Sequence, residues 1–279
     1  QNKNFIEKHN NKNTTFKVGI NRFADIAFKK SRISPSKMNL KLKLVPKEFF
    51  SINPNAYIPN AFDWRERSSI LTEEVRDQGS CGSCYAHSTL QVIEAQLATQ
   101  YNKSVKLSVQ EIIECAGDHG TNGCKSGSIE GVFSYINAQG ISLDEDYPQT
   151  EVTKSCNKNP KRLNITIEKY KYYYNENEDH VKAALYSFGP LLGSYECSHE
   201  TFFRYSNGLF YEPDCINSLK PDHASIIIGY GSENGVNFWT IKNSYGAAWG
   251  ENGYIRIARN KKFHCKVGLF VAIPVVKMR

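Results

Sequence analysis

A turn of glycine and serine residues that carries two cysteines constrains this chain more than any other stretch. The segment Gln78–His87 reads QGSCGSCYAH, and a helical pattern of apolar residues begins immediately after it. Cys84 therefore falls in the first turn of a helix, where unpaired N–H groups and the positive end of the helix dipole favour a thiolate over a thiol. A thiol with a lowered pKa is a nucleophile.

Three interpretations fit two cysteines at this spacing. Cys81 and Cys84 could form a redox dithiol, half of a zinc site, or a catalytic cysteine beside a structural one. The whole chain holds eight cysteines, and an even number suits an oxidising compartment. A catalytic thiol would leave an odd number, so at least one more cysteine would then stay outside a disulfide.

Length and composition are those of an ordinary globular protein. The 279 residues fit one large domain or two moderate ones, with 40% hydrophobic and 23% charged residues. Because no run of eighteen apolar residues occurs, we expect no segment that spans a membrane. The chain starts at Gln1 without a signal peptide, so we expect a fragment or a processed form.

The positive charge of the chain is concentrated at its N-terminus. Residues 1–57 carry twelve Lys/Arg against three Asp/Glu, a net charge of +9, while the remainder has a net charge of −2. A basic chain as such would indicate binding to nucleic acid or to a membrane surface. Because the excess lies in a separable segment with too little apolar surface for its own core, we expect it to lie against an acidic surface of the same chain.

The apolar periodicity changes between the two halves of the chain. Helices are predicted directly after Cys84, from a capping box at Ser108 and Glu111, at about Ser128–Gln139, and at about Asp179–Phe188. Strands are predicted at Leu163–Ile167, Ala224–Gly229, Asn237–Lys242, Tyr254–Ala258 and Leu269–Val276. A helical half followed by a strand-rich half predicts an α+β protein with two lobes.

A cysteine nucleophile needs a base, and the base needs a group that orients it. His223 stands at the start of one predicted strand, and Asn243 follows the next. A histidine at a strand start is usually a polar rim residue. Cys84, His223 and Asn243 nevertheless each lie at the end of an element, where a cleft between two lobes would bring them together.

The segments around these residues resemble those of the papain family of cysteine proteases, of the cathepsin L-like type. They are Gln78–Cys84, Asp222-His223 and Asn243–Gly250, in the order that this family shows. The resemblance covers nearly the whole chain. It implies a papain-like two-lobed α+β fold, with a helical left lobe, a β-barrel right lobe and an active-site cleft between them.

This resemblance also implies a role for each residue of a cysteine endopeptidase. Cys84 would attack the scissile carbonyl, and His223 would hold the thiolate as an ion pair and protonate the leaving amine. Asn243 would orient the imidazole. The Gln78 amide and the Cys84 backbone N–H would form the oxyanion hole. Neither a cofactor nor a metal ion is expected.

The disulfide pattern of the family would join Cys81 to Cys124, Cys115 to Cys156 and Cys215 to Cys265. Cys197 would remain outside a disulfide as a buried apolar residue. Such pairing argues against a redox dithiol, because Cys81 is already bonded. It also argues against zinc, because no four ligands remain together.

The family's substrate contacts can be carried over to eight positions. Gly127 would bind the substrate backbone, beside Ser126 where the family often has a second glycine. A shallow, apolar-preferring pocket is expected for the second side chain before the cut. Ile129, Ser194, Pro221 and Phe270 would line this pocket. Asp222 and Trp249 are the remaining expected substrate contacts. Tyr85 and Tyr245 stand where tryptophan is usual, and Tyr245 would shield the bond between Asn243 and His223 from water.

The N-terminal segment resembles the family's inhibitory propeptide without its first helix. The matching features are the motif Gly19-x-Asn-x-Phe-x-Asp25 and the four-residue spacing of Asn2, Ile6 and Asn10. We therefore expect a partial propeptide at residues 1–57 and a peptidase domain at 58–279, and a partial zymogen activated by acid-triggered cleavage near residues 54–59. The helical lobe would span about 69–172, and the β lobe about 58–68 and 173–279.

Three glycosylation sequons, at Asn13, Asn102 and Asn164, indicate passage through the secretory pathway, to a lysosome or vacuole or out of the cell. Expected partners are protein and peptide substrates, the chain's own propeptide and cystatin-like inhibitors, with a monomeric chain and neither nucleic acid nor a membrane. A catalytically silent binding module and a CxxC oxidoreductase are the alternatives. Exopeptidase types are disfavoured, since no long insertion with paired histidines lies between Cys115 and Cys124 and no exclusion domain precedes the prosegment.

Overall fold

The computed structural model describes residues 2–24, 46–53, 56–67, 74–150, 153–157, 161–174, 177–217, 221–261 and 264–278. Its helices are α1 (Asn2–Asn10), α2 (Cys84–Tyr101), α3 (Val109–Cys115), α4 (Ile129–Gln139), α5 (Glu178–Phe188) and α6 (Glu200–Phe203). Short 3₁₀ helices lie at Trp64–Glu66, Gly117–His119, Pro213–Asn217 and His264–Lys266. Its strands are β1 (Phe16–Val18), β2 (Lys47–Phe49), β3 (Phe62–Asp63), β4 (Ile165–Tyr174), β5 (Leu191–Tyr195), β6 (Tyr205–Phe210), β7 (His223–Glu233), β8 (Val236–Lys242), β9 (Tyr254–Ala258) and β10 (Phe270–Met278).

Helix α2 lies at the centre of the molecule and begins at Cys84 itself, as predicted. Every residue of α2 from Cys84 to Leu97 is buried, because the helix packs against α3 and α4 on one side and against β7 and β10 on the other. The helix ends where Asn102 adopts a left-handed conformation with φ 50°. Its buried N-terminus therefore places Cys84 between the helical and the strand-rich parts.

The capping box predicted for α3 is only half formed. The Ser108 hydroxyl accepts a hydrogen bond from the Glu111 backbone N–H at 3.0 Å, as expected of an N-cap. The Glu111 carboxylate, however, turns away from Ser108 and accepts from the Tyr135 hydroxyl at 2.7 Å and from the Ser142 N–H at 2.6 Å. Glu111 thus ties three segments of the helical part together instead of closing the cap.

The strand-rich part is one large twisted sheet. Its strands follow the order β1-β6-β9-β8-β7-β5-β10-β4-β2, and β3 pairs with β7 outside this path. Over the described residues the path is open at both ends, so this part is an open, curved sheet where the family resemblance implied a β-barrel. The two end strands β1 and β2 both come from the N-terminal segment.

The hairpin of β7 and β8 brings the predicted base and its orienting group together. These strands are antiparallel with Ile226 opposite Lys242, so the start of β7 at His223 lies beside the residue that follows β8, Asn243. Strand β5 pairs with the other edge of β7, with Tyr195 opposite His223. The five predicted strands are present, whereas β1, β2, β3, β5 and β6 were not predicted.

All three predicted disulfides are present. They join Cys81 to Cys124, Cys115 to Cys156 and Cys215 to Cys265. Cys84 and Cys197 carry the thiols that remain, and both are buried. Among the described residues, no helix combines the length and the apolar character that crossing a membrane requires.

Candidate active site

The turn before α2 is held rigid from several directions. The Cys81–Cys124 disulfide and a hydrogen bond from the Gly82 N–H to the Cys124 carbonyl at 2.8 Å fix one side. On the other side the Gln78 N–H donates to the Ser244 carbonyl at 2.9 Å, which joins the turn to the strand-rich part. Cys84, at the start of the helix, is only 3% exposed.

His223 and Asn243 form the central hydrogen bond of the site. The distance from His223 Nε2 to Asn243 Oδ1 is 2.8 Å, and both side chains are buried. Because an amide oxygen only accepts, Nε2 must carry the hydrogen, which leaves Nδ1 as the basic nitrogen of the neutral ring. The Ser244 N–H donates to the same oxygen at 2.8 Å and the Ser225 hydroxyl at 3.1 Å, so the amide is held in one orientation.

The protonation of His223 is governed by opposing influences. Burial has the largest effect and lowers the pKa of His223 below its ordinary value of 6.5. The hydrogen bond to Asn243 and the charge of Asp222 both act to raise it. With the site covered as it is here, burial prevails and the neutral imidazole is favoured.

Two tyrosine rings frame the imidazole. Tyr245 lies over it with ring centroids 5.0 Å apart and planes at 35°, and Tyr195 meets it edge-on at 5.3 Å and 89°. The Tyr195 hydroxyl lies 2.9 Å from the Ser225 hydroxyl. Sequence reasoning missed Ser225, although its position two residues after His223 in a strand places it on the same face. Tyr195 carried no usable signal, because its strand was not predicted.

The Gln78 amide is fixed at both ends. Its Nε2 donates to the Cys81 carbonyl at 2.9 Å, and its Oε1 accepts from the Ser244 hydroxyl at 2.6 Å. A primary amide has two N–H donors, so the bond to Cys81 leaves one for a ligand. The side chain is fully buried beneath the turn that precedes Cys84.

Tyr85 packs directly beneath Gly127. A β-carbon on Gly127 would come within 2.3 Å of the Tyr85 ring, so only glycine fits at this position. The Tyr85 hydroxyl donates to the Gly123 carbonyl at 3.0 Å. Tyr85, the aromatic residue after Cys84, therefore positions the loop that contains Ser126 and Gly127. Burial raises the pKa of Tyr85, which keeps its hydroxyl protonated as the donor.

Two of the expected pocket residues lie at neighbouring strand ends. Ser194 lies in β5 opposite Ala224 of β7. Phe270 is the first residue of β10, and the residue after it, Val271, lies opposite Gly193 of β5. Ser194 and Phe270 are both buried, and Pro221 leads into β7 half-buried. Ile129 is the first residue of α4, in the helical part.

Asp222 and Trp249 are engaged within the protein. The Asp222 carboxylate accepts from the Cys197 N–H at 2.8 Å and from the Ser198 hydroxyl. Trp249 is 1% exposed, and its indole donates to the Phe203 carbonyl at 3.1 Å. Asp222 is half-buried and Trp249 is buried, and both are bonded to other parts of the protein.

The N-terminal segment lies over this site. Phe23 packs edge-on against Tyr245 with ring centroids 5.2 Å apart, and Arg22 forms an ion pair with Asp77, next to Gln78. Strand β1 adds to the sheet beside β6, and the Asn21 side chain donates to the Phe203 carbonyl at 2.8 Å. The segment thus contacts both the turn that precedes Cys84 and the ring over His223.

Among the described residues, two clusters offer metal-ligand atoms, and neither is at this site. They are Cys215 with His264 and Cys265, and Glu196 with His199 and Cys215. Each includes a sulfur of the Cys215–Cys265 disulfide, which is not a thiolate and so is a poor ligand.

Comparison with known proteins matches these features to one family. Residues 58–275 match the papain family cysteine protease model, and residues 1–29 match the cathepsin propeptide inhibitor domain. A cathepsin L-like peptidase of Aedes aegypti is 34% identical over 99% of this chain and 85% of its own length. Cathepsin S of Mus musculus is 31% identical over 94% of this chain and 77% of its own length.

The fold has the same relatives. The structure of digestive procathepsin L 3 from the larval midgut of Tenebrio molitor superposes with a TM-score of 0.86 at 30% identity, covering 98% of this chain and 88% of that one. These matches confirm the predicted two-lobed fold class and the prediction of a cysteine endopeptidase with an N-terminal propeptide. The chain belongs to the papain family of cysteine proteases.

Proposed function

We propose that Cys84, His223, Asn243 and Gln78 together hydrolyse peptide bonds. The observation that carries this assignment is the 2.8 Å bond from His223 Nε2 to Asn243 Oδ1. This bond selects the tautomer in which Nδ1 is basic, and only a basic nitrogen can take the thiol proton. Cys84 at the buried start of α2 is the nucleophile that this base would serve.

The reaction would follow from these groups in two halves. The Cys84 thiolate attacks the carbonyl carbon, and the developing oxyanion receives the remaining Gln78 amide N–H and the Cys84 backbone N–H. The protonated His223 then gives its proton to the leaving amine, which departs and leaves a thioester. Water then attacks the carbonyl carbon of the thioester while His223 takes a proton from that water. The C–S bond breaks, which releases the carboxylic acid and restores the Cys84 thiolate beside protonated His223.

We also propose that a substrate chain runs along Ser126 and Gly127 as an added strand. The close packing of Tyr85 supports this, because a glycine without a β-carbon leaves the backbone of the loop accessible. The second side chain before the cut would enter a pocket formed by Ile129, Ser194, Pro221 and Phe270. A bulky phenylalanine at position 270 favours apolar side chains there.

The boundary between propeptide and peptidase is proposed at residue 57 or 58, with cleavage near residues 54–59. The matches at residues 1–29 and 58–275 support a division in this region. Residues 54–55 and Asp25 of the propeptide motif lie outside the described residues, as do residues 68–73 at the proposed junction of the lobes. The limits of the lobes, about 69–172 and 173–279, remain predictions.

We propose further that the enzyme is a monomeric glycoprotein of a lysosome or vacuole, or is secreted, and that cystatin-like proteins inhibit it. Exposure of Asn13, Asn102 and Asn164 supports glycosylation, since a transferase can reach each one. The three disulfides support an oxidising route of synthesis.

Matched thiol variants test the catalytic assignment. After acid processing, peptide cleavage is measured at pH 5 with reductant in the parent chain and in the variants Cys84→Ala and Cys197→Ala. We expect only Cys84→Ala to lose activity, by three orders of magnitude or more, because loss of a catalytic nucleophile can cost about 10⁶-fold. Equal activity of Cys84→Ala and the parent chain would overturn the assignment. Because Cys84→Ala cannot process itself, it is processed by added parent enzyme.

A further inference from the structure

The outer edge of β4 is paired with a strand from the N-terminal segment. Strand β2 lies parallel to β4 with Lys47 opposite Tyr170, Glu48 opposite Lys171 and Phe49 opposite Tyr172. The Tyr170 N–H donates to the Pro46 carbonyl at 3.0 Å, and the Phe50 N–H donates to the Tyr172 carbonyl at 3.2 Å. Removal of the segment would leave this edge of β4 without its neighbouring strand.

Side chains of β4 contact two successive residues of β2, Glu48 and Phe49. The Glu48 carboxylate lies 2.9 Å from the Lys169 ammonium and 4.0 Å from that of Lys171. The Phe49 ring packs on Tyr172 with centroids 4.6 Å apart. One carboxylate between two lysines, followed by an aromatic ring on Tyr172, defines the first half of the contact.

The second half of the contact is a small aromatic and cationic platform. Phe50 packs on Phe188 with ring centroids 5.3 Å apart. The Lys171 ammonium lies over the same Phe188 ring at 4.3 Å, so one lysine serves both the carboxylate and the platform. Lys169, Lys171, Tyr172 and Phe188 all lie C-terminal to residue 58 and would remain in the processed enzyme.

We propose that in the processed enzyme the β4 edge is a docking surface for protein substrates, and that it binds an extended segment in which an acidic residue precedes two aromatic residues. The inference rests on the proposed removal of residues 1–57. Main-chain hydrogen bonds to a sheet edge supply affinity, and alternate side chains supply specificity.

A substrate, rather than a separate partner, fits this surface because one chain already reaches both sites. The N-terminal segment contacts the ring over His223 through Phe23 and pairs with β4 through residues 47–49, and 21 residues separate Ala24 from Pro46. A substrate of similar reach can therefore occupy β4 and the cleft at the same time. Since the contact is short and its ion pairs are partly exposed, it would be weak by itself and would act by raising the local concentration of the scissile bond.

Three substrates of the processed enzyme test this proposal. The first is a short fluorogenic peptide, the second carries the sequence of residues 46–52 on a Gly/Ser linker of 21 residues, and the third carries the same tail with lysine for glutamate and serines for both phenylalanines. We expect the second substrate to have a KM about tenfold below that of the short peptide, as a linked weak site can give, with kcat unchanged. The third substrate should match the short peptide. Mass spectrometry confirms that each tail stays intact during the initial rate.

Charge reversal on the enzyme provides the matched control. With the variant that carries Lys169→Glu and Lys171→Glu, the glutamate tail should lose most of its KM advantage over the short peptide. A tail in which only the glutamate is changed to lysine should regain part of that advantage with the same variant. Cleavage of the short peptide by this variant should equal that by the parent, which also reports correct folding. If the short peptide is cleaved normally but the tail gives no advantage, or if the processed enzyme instead dimerises through this edge, the proposal is wrong. Failure to cleave the short peptide at all would contradict the proposed function itself.

Discussion

The Phe23 ring packs edge-on against Tyr245, with centroids 5.2 Å apart and planes at 62°. Tyr245 in turn lies over His223 with ring centroids 5.0 Å apart. The propeptide motif and His223, the proposed catalytic base, are therefore separated by a single aromatic ring. Displacement of the segment would remove Phe23 and Arg22 from Tyr245, so we expect binding of the propeptide and solvation of the His223–Asn243 bond to be coupled.

Replacement of Phe23 should weaken inhibition by the segment. We expect Phe23→Ala to reduce the binding free energy of a peptide of residues 1–57 by about 2 kcal/mol, the threshold for a dominant interface residue, and so to raise its inhibition constant about thirtyfold. The measurement is inhibition of the processed enzyme by the added peptide. Ile20 is 71% exposed and is the matched control, because Ile20→Ala removes an apolar side chain that is barely buried. Equal effects of the two substitutions would refute a specific role for the Phe23–Tyr245 contact.

The ion pair of Arg22 and Asp77 predicts a small electrostatic contribution to this inhibition. Arg22 is the only basic residue within the propeptide motif, and both partners are partly exposed, with side-chain exposures of 29% and 41%. A pair of this kind contributes about 0.2 to 1 kcal/mol. We expect Arg22→Gln to weaken inhibition of the processed enzyme by the added peptide up to about fivefold at pH 7.

Lys12→Gln is the charge-matched control for Arg22→Gln, because Lys12 is exposed and lies on the same segment. If both substitutions weaken inhibition equally at pH 7, the general positive charge of the segment matters and the specific pair with Asp77 does not. Cleavage near residues 54–59 that is equally fast at pH 4 and pH 7.5 would contradict the prediction of acid-triggered activation.

The parts of the molecule that local patterns govern could be predicted from the sequence. Helix α2 starts at the predicted residue because a glycine-rich turn followed by a periodic apolar run specifies it locally. The predicted disulfides are correct, but they came from family resemblance and not from spacing, which leaves many pairings open. The positions of His223 at the start of β7 and of Asn243 directly after β8 followed from runs of apolar and β-branched residues bounded by turn residues.

Features that depend on burial or on register were missed. Strand β5, LLGSY, is short, contains a glycine and has no β-branched residue, and β6 contains Asn207-Gly208, which is typical of a turn. Tyr195 was missed together with β5, although it pairs with His223 across the sheet. The binding of β2 to β4 could not be predicted either, because three residues of a basic segment carry no long-range information about their partner strand.

The packing of Tyr85 under Gly127 predicts a substitution that affects binding more than chemistry. Tyr85→Phe removes the hydrogen bond to the Gly123 carbonyl, which is worth about 1 kcal/mol, and lets the substrate-binding loop move. We expect KM for an extended peptide to rise about fivefold with kcat nearly unchanged, since no reacting group is altered. Tyr101→Phe is the matched control, because it removes a similar bond, 3.0 Å long, to the Val276 carbonyl far along α2. A fall in kcat with KM unchanged would show that Tyr85 acts on the nucleophile instead.

Burial of His264 predicts a loss of stability in acid. The ring is 1% exposed and accepts a hydrogen bond from the Glu212 N–H at 2.7 Å, and burial lowers the pKa of His264 to about 4. The unfolded chain, with a histidine pKa near 6.5, binds this proton more readily than the folded one. The stability that the neutral ring contributes is therefore complete above about pH 6.5 and is lost progressively as the pH falls towards 4.

Substitution of His264 by glutamine should reduce this acid sensitivity while an acceptor for the Glu212 N–H is kept. The free energy of unfolding should fall between pH 7 and pH 4.5 in both proteins, and we expect the fall to be about 2 to 3 kcal/mol smaller in His264→Gln than in the parent. This difference follows because one proton changes the free energy by about 1.4 kcal/mol per pH unit. Urea unfolding at both pH values measures this difference, in a Cys84→Ala background so that the chain does not digest itself. Titration of the His264 ring by NMR gives an independent readout. An identical pH dependence in both proteins, or a ring that titrates near pH 6.5, would show that burial of His264 does not limit stability in acid.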